Sequence, residues 1–124
     1  MSGTVKSFQD LLVWQNAMAL VPVVYGLTKL LPREERFALG DQMRRAAVSV
    51  PANIAEGHAR RYTKEYLQHL SIARGSLAEL LTLVLLAERL GHVDHTQTEG
   101  IQKAIRETRM LLSGLIARLE NKSP

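Results

Sequence analysis

Apolar residues recur along this chain at spacings of three and four rather than two, the period of helices that bury one side, and breakers divide the pattern into four stretches. The first opens at Ser7, whose hydroxyl can cap a helix while Asp10 stands three residues on, and the pattern predicts a helix over residues 8–31, ending at Pro32. Leu11, Trp14, Met18, Val21 and Tyr25 form one stripe along it, and Leu20, Val24, Leu27 and Leu31 a second on another side. This helix is therefore apolar over more than a single face. A second helix is predicted over residues 33–56, with Pro32 and the acidic pair Glu34 and Glu35 at its start and Gly57 as its stop. Pro51 removes one backbone donor inside it, which predicts a kink near Ala47 or a restart capped by Ser49. The third helix, residues 63–90, opens on Thr63 and ends at Gly91; between Leu77 and Leu90 only Glu79, Thr82, Glu88 and Arg89 are polar. The fourth, residues 96–120, opens on Thr96 and Glu99 at capping-box spacing and turns Ile101, Ile105, Thr108, Leu112 and Leu115 to one face. Residues 121–124 are expected to fray.

Short connections between long helices favour antiparallel neighbours, so the pattern implies an all-α, up-and-down antiparallel four-helix bundle spanning residues 1–124 as one domain. An isolated bundle leaves roughly half of each helix in water, and the first and third helices carry more oil than that allows. The excess argues for a homo-oligomer, with Leu83 and Leu86 of the third helix expected at the interface between copies.

Composition narrows the chemistry. The chain has 124 residues and no cysteine, which excludes disulfides, thiolate metal sites and cysteine nucleophiles and suits a reducing compartment. Its N-terminus has one lysine, no apolar core and no small-residue cleavage site, so no secretory leader is expected. Leu11 to Thr28 is uncharged, but Gln15, Asn16, Pro22, Gly26 and Thr28 interrupt it, which suits a helix buried in an assembly better than one facing lipid. A cytoplasmic protein without a membrane partner is expected. The net charge of +4 allows an acidic partner without requiring one.

Gln42, Arg45, Ser49, Asn53 and Glu56 fall at spacings of three and four and form one polar stripe on the second helix. Such a stripe fits a ligand site or a hydrogen-bond network that fixes helix register or joins subunits; the network is preferred because buried polar groups need partners. Asn53 and Glu56 are the pair expected across an interface. Arg44, Arg45, Arg60, Arg61 and Lys64 form a local basic patch, in which Arg60, Arg61 and Tyr62 could meet phosphates and stack a base; solvated loop surface is the competing reading. Glu65 with His69, and His92, Asp94 and His95, match neither a zinc signature nor the Glu-x-x-His pairs of di-iron bundles, so neither a metal nor another cofactor is expected. Phosphate-loop, nucleophile-elbow, metalloprotease and dinucleotide motifs are missing, and no enzyme is expected.

The run Leu39-Gly40-Asp41-Gln42-Met43-Arg44-Arg45-Ala46-Ala47-Val48-Ser49-Val50-Pro51-Ala52-Asn53-Ile54-Ala55-Glu56-Gly57 resembles the signature of the four-helix-bundle proteins encoded in 23S ribosomal RNA intervening sequences. Phe8 with Leu11, Val13, Trp14 and Gln15 resembles that family's opening helix, and Ile72 to Leu80 its third. The resemblance extends from Phe8 to Leu119 and implies a ring-like homopentamer without established enzymatic activity. The family is also similar to the accessory protein of diversity-generating retroelements, which implies nucleic acid as a partner. Residues and resemblance together lead to the expectation of an oligomeric scaffold that binds RNA or an RNA-protein complex, with a protein-interaction module that ignores nucleic acid as the alternative.

Overall fold

The computed structural model describes residues 5–122. The first four residues of the segment read for a leader, and the last two of the tail expected to fray, lie outside the described residues. Among the described residues there are four α-helices, α1 (Leu12–Thr28), α2 (Leu39–His58), α3 (Thr63–Arg89) and α4 (His95–Lys122), with single 3-10 turns at Phe8–Asp10 and Arg33–Glu35. No strand occurs among the described residues. Each helix packs on the two beside it in a closed circuit, with the most extensive contact between α2 and α3. Cross-helix contacts fix the directions. Gly57 lies against Tyr66, Asn53 meets His69 and Ser49 meets Ser76, so α2 and α3 are antiparallel; Glu88 meets Thr98 and Gln102, so α3 and α4 are too. Leu20, Met43, Ile54, Leu70, Leu77, Leu80 and Leu112 are fully buried along the axis, one from nearly every turn that faces it.

Local signals set the helix ends, several of them one step away from the sequence expectation. Ser7 and Asp10 do form a capping box, but it heads the 3-10 turn. Leu11 is extended (ψ 125°), and α1 starts only after it. At the far end Lys29, Leu30 and Leu31 donate to carbonyls three residues back at 3.3, 3.0 and 3.2 Å, so the chain tightens past Thr28 before Pro32 stops it. Pro32, Glu34 and Glu35 open a separate turn; Ala38, at φ −115° and ψ −90°, breaks the run, and α2 begins at Leu39 rather than at residue 33.

No restart occurs at Ser49, because α2 continues through Pro51 to His58 and its buried proline sits on the core. Gly57 is not a stop. It lies inside α2 where a Cβ would come within 2.8 Å of the His69 Cβ and 2.9 Å of Tyr66 Cδ1, so its missing side chain lets α3 approach. Gly91 is the true terminator: at φ +78° it lets His92 donate to the Ala87 carbonyl (3.0 Å) and its own amide to that of Glu88 (2.9 Å), a Schellman closure of α3. Thr63 is the first residue of α3, and Tyr62, ahead of it, offers no side-chain cap. The capping box of α4 belongs to Asp94 and Gln97, which exchange bonds of 2.9 and 3.0 Å, and not to Thr96 and Glu99.

The two stripes of α1 divide unequally. Leu20, Val24, Leu27 and Leu31 enter the core, whereas Trp14 and Val21 are half-buried and Met18 and Tyr25 are exposed. In α3, Leu83 turns inward and belongs to the protomer's own core. That corrects its placement at an interface between copies. Leu86 does stand on the surface, beside Leu85. By length and composition α3 could cross a membrane, and 44% of its apolar window is buried within the bundle.

Candidate nucleic-acid interface

Antiparallel packing brings the end of α2, the start of α3 and the end of α4 to one tip of the bundle. The connection between α2 and α3, residues 59–62, is short, and Arg60, Arg61, Tyr62 and Lys64 are all exposed on it or on the first turn of α3. The Arg61 guanidinium lies 5.6 Å from the centre of the Tyr62 ring, a cation-π pair that extends the aromatic face outward. The amides that open α3 receive no side-chain cap from Tyr62, and one carboxylate, the exposed Glu65, stands in that first turn beside the three cations. Sequence spacing missed Arg118: it acts on Tyr66 electrostatically across the bundle, which places it, and Lys122 one turn further, at the same tip. Only the antiparallel direction of α4 could have revealed that.

Carboxylates at this tip are partly spoken for. Asp10 accepts from the amides of Lys6 and Ser7 at 3.0 and 3.2 Å, and Glu56 stands 3.6 Å from His69 Nδ1. Tyr66 sits behind the connection with its ring edge-on to His58, 5.7 Å between centres. Its buried hydroxyl has no hydrogen-bond partner among the described residues, and burial holds its pKa above the usual phenol value, with Arg118 pulling the other way.

The basic residues singled out in the sequence do not form one patch. Arg44 and Arg45 lie in the first half of α2, and from Arg45 to His58 the helix rises by roughly 20 Å at about 1.5 Å per residue. Arg44 is also occupied: it pairs with Asp41, donates to Thr28 Oγ1 (3.0 Å) and to the Arg36 carbonyl (2.7 Å), and lies 5.9 Å over the Tyr25 ring. Linear proximity in sequence concealed this separation, because a helix spends its length between the two groups.

The polar stripe of α2 resolves into a seam with α3. Asn53 donates to the Ser49 carbonyl (2.9 Å) and to Ser49 Oγ (3.0 Å), its amide oxygen faces His69 Nδ1 at 3.0 Å, and Ser76 donates to Ser49 Oγ at 2.8 Å. Ser49, Asn53 and Glu56 thus fix the register of two helices within the chain. Gln42 and Arg45, at the other end of the stripe, are exposed. His92 faces Glu35 of the turn before α2 at 3.2 Å, and His95 lies 3.6 Å from Glu88 and 3.9 Å from Glu99. No group of three or more histidine or carboxylate side chains is arranged to hold a metal among the described residues.

A closed circuit of four antiparallel helices, held in register by a polar seam and bare of metal-binding clusters among the described residues, defines an all-α up-and-down bundle. The family model described as 23S rRNA-intervening sequence protein matches residues 9–114, and the chain belongs to that family. A solved structure of a protein of unknown function from the S23 ribosomal protein family of Bacteroides thetaiotaomicron is similar in fold: TM-score 0.79, 24% identity, over 85% of this chain and 98% of the other. No curated protein matches.

Proposed function

We propose that the protein is a non-enzymatic, cytoplasmic, homo-oligomeric scaffold that binds RNA or an RNA-protein complex through the tip where α2 meets α3. One observation carries the reading: Arg60, Arg61, Tyr62 and Lys64 are exposed together around the uncapped start of α3. Phosphates are drawn to unpaired amides and flanking guanidinium groups, and an exposed ring offers a base a stacking face without demanding a sequence. A ring-like homopentamer, as the family resemblance implies, would repeat the tip around one face and turn weak contacts into avidity. The exposed Leu12, Val23, Ile72, Leu85, Leu86 and Leu90 supply apolar surface for such self-association.

The decisive experiment titrates a fluorescent single-stranded RNA at several salt concentrations. Affinity should fall steeply with salt. Single reversals at Arg60 or Arg61 should flatten that dependence by roughly 0.7 in slope for each phosphate left unneutralised, and the double variant R60E/R61E should abolish binding. Binding that ignores salt, or that survives the double reversal unchanged, would overturn the assignment.

A further inference from the structure

We propose that the corner between α1 and α2 is a separate binding site for a nucleoside phosphate, with Phe37 stacking on the base while Lys29 and Arg36 hold the phosphate. Two open clefts of about 550 and 500 Å³ meet there on either side of Arg44, each in the size range of small-molecule sites. Phe37 lines the first and is 83% exposed, the most exposed of the large apolar side chains among the described residues. No other ring contacts it among the described residues. An aromatic face left in water gains most from a flat partner that covers it.

Charge decides the class of that partner. Lys29, Arg36, Arg44 and Arg45 line the two clefts, and the one carboxylate among the lining residues, Asp41, is already paired with Arg44. The Arg44 guanidinium, paired with Asp41 and held by Thr28 Oγ1, the Arg36 carbonyl and the Tyr25 face, is a fixed wall between the two clefts, and the charges open to a phosphate are those of Lys29 and Arg36. Arg36 is drawn in as well, with its side chain 3.5 Å from the carbonyls of Leu31 and Lys29. A ring and cations within one cleft match a base joined to a phosphate.

The site stands roughly 20 Å along α2 from the tip described above, by the rise of the helix, and does not depend on that reading. Calorimetry with adenosine monophosphate, inorganic phosphate and adenosine as separate probes, with backbone NMR shifts, tests it. The monophosphate should bind more tightly than either fragment and move the signals of residues 28–37. Phe37→Ala should weaken it about tenfold, as loss of one stacked base does, Phe37→Trp should restore it, and R60E/R61E should leave it unchanged. A short oligoadenylate that competes, and loses affinity in Phe37→Ala even on the R60E/R61E background, would assign the site to a strand; indifference to the oligomer would assign it to the free nucleotide. The proposal falls if the monophosphate binds no better than phosphate alone, or if Phe37→Ala leaves affinity untouched while dissociating the oligomer, which would make Phe37 a contact between protein chains.

Discussion

Gly57 tests how closely α2 and α3 must approach. A methyl group there would stand 2.8 Å from the His69 Cβ, 2.9 Å from Tyr66 Cδ1 and 3.2 Å from the Tyr66 carbonyl oxygen. Two of these three atoms belong to the backbone or the rigid root of a side chain, so relief requires moving α3 and not merely rotating a flexible tip. Alanine is the better helix former by about 1 kcal/mol, which favours the variant. Overpacking costs typically 1–3 kcal/mol, and contacts to rigid atoms belong at the upper end of that range. The net expectation is a loss of about 1–2 kcal/mol and, at a few degrees per kcal/mol for a domain of this size, a melting temperature lower by roughly 4–8 °C. Gly75→Ala and Gly100→Ala are the controls. Nothing lies within 4 Å of a Cβ at either position, so the same propensity term acts alone and should raise stability by up to about 1 kcal/mol. Thermal unfolding followed by circular dichroism reads all three variants. A Gly57→Ala protein as stable as its parent would show that the seam yields freely and that close approach at Gly57 is not required.

Side chains in the seam and the core supply three more tests. Asn53→Ala removes the bonds to Ser49 and leaves the half-buried His69 without its amide partner, and should cost about 1–2 kcal/mol in urea unfolding after the gain in helix propensity. Tyr66→Phe deletes a hydroxyl that has no partner, so it should be neutral or stabilising; because burial raises the Tyr66 pKa in the folded state only, stability of the parent should fall as pH climbs past about 10, where the unfolded chain ionises first, and this fall should be absent in the phenylalanine variant. Leu83→Asp strands a charge in the protomer's core and should cost about 4 kcal/mol or more, unfolding the chain, whereas Leu86→Asp should keep native helix content and lower only the assembled mass in light scattering.

Fold class was legible because it rests on periodicity, which every turn of every helix repeats; the ends were less so, because each rests on one or two residues. Ser7 and Asp10 signalled a cap correctly but could not announce that an extended Leu11 would detach the turn they head. Thr96 and Glu99 have the same spacing as Asp94 and Gln97, and the choice fell to the pair that lies just beyond the Schellman turn at Gly91. Gly57 and Gly91 look alike in sequence, yet one serves packing between helices and the other a left-handed backbone.

The polar stripe and the basic run show why site residues were harder to read than helices. Spacing on one helix correctly grouped Ser49, Asn53 and Glu56, because a shared face is a local property, but their partners Ser76 and His69 sit on another helix and follow only from topology. The same local logic failed for the arginines. Arg44 and Arg61 are close in sequence but stand near opposite ends of α2, while Arg118, far away in sequence, returns to the tip because α4 runs back along α3. Charge in an antiparallel bundle therefore has to be summed by end rather than by segment, and in this protein that sum separates two cationic regions with different neighbours. At the tip, an aromatic ring already carries its own arginine at 5.6 Å. At the α1–α2 corner, Phe37 stands bare beside Lys29 and Arg36, with Arg44 held in place by other bonds. The first arrangement suits a long, repetitive polyanion that can approach from many angles; the second suits a ligand that brings its own ring and fits one pose.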